Sequence, residues 1–168
     1  MDSRQLSKTY KGLSEWQPFN EESVKSALKQ YGTYILRMAQ GKCFGRLKGE
    51  SDILYIGSTE EGKRGLRGRL QQYLRPGPTQ LTNKRIDEMA KKYDMEIAWC
   101  LCREGREASN LEFKLLHQYL DDHDELPPLN HAGKRLQKKL LEGNLGLIGT
   151  LTLKHTDKDG NPIKRIEG

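Results

Sequence analysis

Gly32-Thr33-Tyr34-Ile35-Leu36 and Ile53-Leu54-Tyr55-Ile56-Gly57 are the two stretches on which the fold turns. Each holds a short run of β-branched and aromatic residues, a composition that reads as strand. Between them lies the polar, glycine-bearing Gly41-Lys42-Cys43-Phe44-Gly45-Arg46-Leu47-Lys48-Gly49. That order predicts an antiparallel hairpin with a long loop.

Working outward, residues 65–74 predict a helix stopped by Pro76-Gly77-Pro78. A second helix is expected over 82–93, with Ile86, Met89 and Ala90 on one side. Met95-Glu96-Ile97-Ala98-Trp99-Cys100-Leu101-Cys102 reads as a third strand, and 107–120 as a strong helix ended by Leu126-Pro127-Pro128. Upstream, 21–30 predicts a helix capped by Asn20, with Val24, Ala27 and Leu28 as its inner face. Downstream, 134–142 reads as a short basic helix, and 151–155 and 162–166 flank the turn Asp157-Lys158-Asp159-Gly160-Asn161 as a hairpin. The fold class expected is therefore mixed α/β of the α+β kind. Its centre is a small three-stranded antiparallel sheet flanked by helices, with an N-terminal helix and a C-terminal helix-hairpin extension. Three parts follow: an N-terminal extension over 1–30, a central domain over 31–130, and a basic extension over 131–168 packing on the same domain.

The 168 residues are 35% apolar and 31% charged, with mean hydropathy −0.83. No apolar run approaches the roughly 18 residues of a membrane span, and the start has no apolar signal region. Three cysteines (Cys43, Cys100, Cys102) form neither a disulfide framework nor a zinc-ribbon spacing, so a reducing cytoplasm is the expected location. The net charge of +6 is unevenly spread. Residues 1–59 carry +3, 60–93 carry +5, 94–130 carry −6 and 131–168 carry +4. Basic segments on both sides of an acidic one point to a polyanion partner, although a merely soluble basic protein has the same signature.

The 107–120 helix contains an anomaly. At 100° per residue, Leu111, Leu115, Ala108, Tyr119 and Leu116 fall within an arc of roughly 140°, with Glu112 inside it at about 100°. A carboxylate there is costly unless it meets a cation, whether an arginine in a buried ion pair or a metal ion. The 65–74 helix holds the complement: Leu66, Leu70 and Tyr73 form its face and Arg69 borders it, while Arg67 and Arg75 point elsewhere, to solvent or phosphate.

Taken in order, Gly32-Thr33-Tyr34, Tyr55-Ile56-Gly57, Leu66-x-x-Arg69-Leu70-x-x-Tyr73, and Glu107-Ala108-x-x-Leu111-Glu112-x-x-Leu115-Leu116 running to Pro128-Leu129-Asn130 resemble the GIY-YIG nuclease superfamily over about residues 30–130. The resemblance implies a ββααβα order and hydrolysis of DNA phosphodiesters with one divalent cation, Mg²⁺ with Mn²⁺ as substitute. It implies Tyr34, Tyr55, Arg69 and Glu112 as catalytic residues, with Glu112 the metal ligand and Asn130 the asparagine that closes the domain. A carboxylate suits Mg²⁺, an arginine suits the charge building on a phosphoryl oxygen, and a tyrosine, by preference Tyr55, takes the proton of the attacking water. DNA contacts are expected from Lys63, Arg64, Arg67, Arg75 and Asn130, and from Lys134 and Arg135 on the terminal helix. Three departures stand out: Ser58 where repair members often carry lysine, a longer stretch over 58–65, and Gly-Thr-Tyr for Gly-Ile-Tyr.

Other signals are weaker. His117, His123, His131 and His155 lack metal-ligand spacing, and Gly62 to Arg69 lacks the order of a nucleotide-binding P-loop. Asp157-x-Asp159-Gly160 has no closing glutamate for a calcium loop. Trp16, Trp99 and Phe113 read as packing residues rather than base-stacking platforms. The expected function is a compact DNA endonuclease acting on double-stranded or branched DNA, of restriction type or in DNA repair. No helicase-interaction or hairpin-helix DNA-binding domain accompanies it, which sets it apart from a full repair incision subunit. The alternative is a catalytically weak or inactive DNA-binding module on the same scaffold. A homodimer fits the restriction-type reading, although no segment marks a dimer face.

Overall fold

The computed structural model describes residues 2–10, 12–60 and 64–130. The expected helix over 134–142, the terminal hairpin, and Lys63, Lys134 and Arg135 lie outside the described residues. In chain order the elements are α1 (Ser3–Thr9), β1 (Gln17–Pro18), α2 (Glu21–Ser26), β2 (Gly32–Met38), β3 (Phe44–Gly45), β4 (Glu50–Ser51), β5 (Ile53–Thr59), α3 (Gly65–Leu74), α4 (Leu81–Lys92), β6 (Met95–Leu101) and α5 (Gly105–His123), with a 3₁₀ turn at Ala39–Gly41 after β2. None of the described helices is long and apolar enough to cross a membrane.

The main sheet is antiparallel and runs β1-β6-β2-β5, while β3 and β4 form a separate two-stranded hairpin. The expectation of three strands is corrected to four. Gln17–Pro18 pairs with β6 through Gln17↔Ile97 and Pro18↔Glu96. Two residues give no alternation to read, and a proline survives there because β1 is an edge. The β2–β5 hairpin is as expected, with both strands longer than predicted and an irregularity at Leu36/Arg37.

Strand alternation divides the apolar residues between two layers. Tyr34, Leu36, Tyr55, Ile97 and Trp99 join Leu66, Leu70 and Tyr73 of α3, Ile86 of α4, and Val24 and Ala27 in one buried cluster. On the other face, Thr33 hydrogen-bonds the Ala108 carbonyl of α5 at 2.7 Å, and Ile35 is buried at 1% exposure. Thus α3 and α5 cover opposite faces. Helix α2 ends at Ser26, not at residue 30, because Ala27 turns to extended backbone (ψ 144). Leu28, expected inside, is 45% exposed in consequence.

That early exit has a use. The loop after α2 passes over the start of α3, where no side chain caps the helix. The Gln30 carbonyl accepts from Leu66 N at 2.9 Å and the Leu28 carbonyl from Arg67 N at 3.2 Å, so the backbone does the capping. Gly65 permits the approach: its φ is +52, and a Cβ there would lie 2.4 Å from Gln30 N. This seam fixes where α3 starts, and therefore where Arg69 and Tyr73 point.

A second clasp secures the N-terminus. Arg37, on β2, donates to Glu96 (Nη2, 2.6 Å) and to the Ser3 hydroxyl (2.5 Å), and stacks over Trp16 at 4.1 Å. Asp52 accepts from Ser3 N at 2.9 Å and also from its hydroxyl. These groups are largely out of water, so removing one partner strands the others. Arg37→Ala should cost on the order of 3 kcal/mol. A urea titration should show this as a lower midpoint with an unchanged slope.

Candidate active site

The site forms because, among the described residues, β5 is an edge strand. A helix on each face of the sheet can then reach past the same edge. Tyr55 lies opposite Leu36 and so shares the face of Tyr34, toward α3. Ser58 lies opposite Thr33 and so faces α5. Tyr55, Ser58, Arg69 and Glu112 line one open cleft of about 450 Å³, together with Glu60 and Gln72.

From the α5 side, Glu112 is half-buried and accepts a hydrogen bond from the Ser58 hydroxyl. The residue that departs from the expected lysine thus orients the carboxylate. From the α3 side, Arg69 donates to Gln72 at 3.2 Å, and its guanidinium lies 5.1 Å from the Tyr73 ring centroid. Burial works against the arginine's charge. The neighbouring Tyr34, Tyr73 and Tyr55 outweigh it and raise its pKa above the ordinary guanidinium value. Arg69 is a permanent cation aimed at the cleft.

Behind Arg69 sits a chain of three tyrosines. The Tyr34 and Tyr73 hydroxyls are 2.5 Å apart, and Tyr73 donates to the Tyr55 hydroxyl at 3.3 Å. The three ring centroids are 5.8 to 6.2 Å from one another. Tyr34, expected as a catalytic residue, is wholly buried and is not among the residues that line the cleft. Burial, followed by the neighbouring Tyr55, drives its hydroxyl far above the ordinary tyrosine value, so it stays protonated. Tyr73 is raised in the same way, burial being the main cause and Tyr34 the next.

Gly57 makes this packing possible. It is the cross-strand partner of Tyr34, and a Cβ there would sit 2.6 Å from the Tyr34 hydroxyl oxygen. Gly32 is equally constrained, with a Cβ falling 2.5 Å from the Cys100 carbonyl. Both glycines of the sequence motifs are therefore spatial requirements of the tyrosine chain and the sheet.

The expected DNA contacts divide. Arg64 is exposed and lines the cleft. Arg67 and Arg75 line a different groove, between α2 and α3. The side chain of Asn130 accepts from Ile56 N at 2.9 Å and donates to Ile56 O at 2.7 Å, so both ends of the amide engage the edge strand. With Leu129 N donating to Leu54 O at 3.0 Å, this segment covers the exposed edge of β5 like a short extra strand.

Sequence reasoning treated Tyr73 as packing and passed over Gln72 and Glu60. Tyr73 stands four residues after Arg69, on the same helical stripe, which was the available signal. Glu60 accepts a hydrogen bond from the Ser109 hydroxyl of α5 and is among the residues that line the cleft.

Among the described residues no group of three or more His, Cys, Asp or Glu is placed to hold a metal. Mg²⁺ does not need such a group, since it binds through one or two carboxylates and keeps water or phosphate in its other positions. The oxygen donors of Glu112, Glu60 and Ser58 at one open cleft fit that hard cation. Comparisons with protein-family models, with curated proteins and with solved structures each return no match to this chain.

The buried tyrosines predict an alkaline limit to stability. In the unfolded chain they lose protons near pH 10, whereas Tyr34 and Tyr73 hold theirs in the fold. The unfolded state then binds fewer protons, so the contribution of these two groups to stability should be level below pH 10 and fall as the pH rises above it. Tyrosinate absorbance at 295 nm should show these two hydroxyls ionising together with the loss of far-UV circular dichroism, not before it.

Proposed function

We propose that the chain is a divalent-metal-dependent endonuclease of the GIY-YIG type that hydrolyses DNA phosphodiester bonds. The observation that carries this reading is the meeting of Tyr55, Arg69 and Glu112, from β5, α3 and α5, at one cleft open to water. An ion pair sealed in the core would have explained an inward arginine and an inward glutamate equally well; side chains lining an open cleft favour chemistry. The run of elements from β2 through α5, with the small β3–β4 hairpin inserted, supports the ββααβα core that the sequence resemblance implies.

In this reading Glu112 would hold Mg²⁺ or Mn²⁺, and Glu60, which lines the same cleft, would offer a second carboxylate to the ion's water shell. When bound, the ion supplies Lewis-acid polarisation of the phosphoryl oxygen and stabilises the leaving oxyanion. Arg69 binds a non-bridging oxygen, and its half-buried position strengthens that contact relative to one in bulk water. Tyr55 would act as a phenolate, its own proton having left to solvent under the influence of the nearby cations, and would take the proton from the attacking water, with Tyr73 donating to its oxygen and Tyr34 hydrogen-bonded to Tyr73 in turn. Arg64 lies at the rim, where a cation can replace the lysine that Ser58 displaces. The three cysteines are free, in keeping with the reducing compartment we assign.

Incubation of supercoiled plasmid with the purified protein should give nicking with Mg²⁺ or Mn²⁺ and none with EDTA. Glu112→Gln, Arg69→Ala and Tyr55→Phe should each lower the rate by about 10² to 10³ while the fold is kept. Undiminished metal-dependent nicking by the first two would overturn the assignment. Retention of DNA without cleavage in either metal would favour the alternative, a binding module on this scaffold. Mapping the cuts separates restriction (discrete recurring sites) from repair (cuts at branched or damaged DNA).

A further inference from the structure

Beside the cleft runs a second concavity, a groove of about 520 Å³ between α2 and α3. Among the described residues its lining is strongly basic: Lys25, Lys29, Arg64, Arg67 and Arg75, against one acid, Glu21. Arg64, Gly68 and Gln72 line both the groove and the cleft, so the two are continuous. Gly68 is what lets Arg64 lie across α3 between them, since a Cβ there would fall 2.2 Å from Arg64 Cβ.

We propose that this groove is a backbone track for duplex DNA, gripping the phosphates of the strand that flanks the scissile position. The proposal rests on the reading of the cleft as a site for DNA, and it adds a nucleic-acid contact made by the N-terminal segment, which the hydrolytic groups do not require. Length agrees with charge: the ten residues of α3 rise roughly 15 Å, the axial span of about four phosphates on one strand. The cations are of two kinds. Arg67 is fixed against the wall by its Nε bond to the Ala27 carbonyl at 2.8 Å. Lys25 and Arg75 have side chains 71% and 76% exposed and are held by Glu21 at 3.8 and 2.7 Å. Such exposed pairs are weak, so a phosphate can take Arg75 from Glu21 at small cost. Glu21 thus acts as a stand-in for DNA at the far end of the groove. Phosphate contacts of this type orient a duplex without reading its sequence.

The test is binding of a 20-base-pair duplex in EDTA, followed over a range of salt, so that turnover plays no part. Lys25→Ala/Lys29→Ala/Arg75→Ala should flatten the slope of log K against log[salt] by about 2.7, three phosphate contacts' worth. Lys84→Ala/Lys91→Ala/Lys92→Ala removes the same charge from α4, outside the groove, and should leave the slope near its wild-type value. Glu21→Gln should tighten binding several-fold by releasing Arg75. Equal losses in both triple variants, an unchanged slope in the groove variant, or no binding of duplex by the wild type would overturn the proposal. So would phosphatidylserine vesicles competing as well as duplex, which would mark a general anion surface. Melting by circular dichroism checks that both triple variants are folded. A protein that binds through the groove yet never nicks plasmid would sink the nuclease reading and leave the groove standing.

Discussion

One geometric constraint governs the site: Arg69 and Glu112 stand on helices that cover opposite faces of a single sheet, so they can share a cleft only beyond its edge. The strand order β1-β6-β2-β5 supplies that edge at β5. Were another strand paired along the full length of β5, Tyr55 and Ser58 would lie on opposite sides of a closed layer and α3 and α5 would never meet. The exposed edge is itself a hazard, because unpaired backbone groups invite other chains. Asn130 and Leu129 blunt it at Ile56 and Leu54 while the cleft lies further along the strand, at Ser58 and Thr59. Covering one half of the edge and leaving the other for the site are two halves of the same solution.

The second requirement is that α3 start in the right place. Leu66 N and Arg67 N are capped by carbonyls of the loop that leaves α2, and Gly65 takes a left-handed conformation to let that loop come close. The N-terminal segment is therefore tied to the site through backbone bonds. It is also tied to the sheet through β1 and through the Arg37 clasp with Ser3, Glu96 and Trp16. Describing residues 1–30 as an extension understates this, since the same residues cap α3, form one wall of the basic groove and add the fourth strand.

How much of this was legible beforehand follows from the range of each determinant. Helix α3 could be bounded correctly because Gly65 and the Pro76-Gly77-Pro78 stop are local signals. Glu112 could be singled out because one carboxylate on an apolar arc is a contradiction within its own helix. What the sequence hid was set by distant partners. The strand Gln17–Pro18 exists only because β6 offers it hydrogen bonds, and α2 stops early because its exit loop is used by α3. Asn130 looked like a group for DNA, and nothing local reveals that Ile56, far back in the chain, consumes its amide. Helix α5 outran its predicted end, reaching His123, where Asp124 adopts a left-handed conformation (φ 58) rather than the helix stopping at residue 120.

The tyrosine chain shows why a motif residue can matter without touching substrate. A lone guanidinium at the border of a core would swing toward water, because solvation there is worth more than any apolar contact. The neighbouring Tyr34, Tyr73 and Tyr55 offset the cost of that burial, so Arg69 keeps its charge. Tyr34 can serve in this way only because burial keeps it neutral and Gly57 leaves space for its ring. The chain Tyr34–Tyr73–Tyr55 then carries rigidity from the middle of the sheet to its edge. On the proposed reading, this is what holds a hydroxyl and a cation in a constant relation as charge moves onto a phosphate: the organisation was accomplished by folding, and little reorganisation is left for the reaction itself.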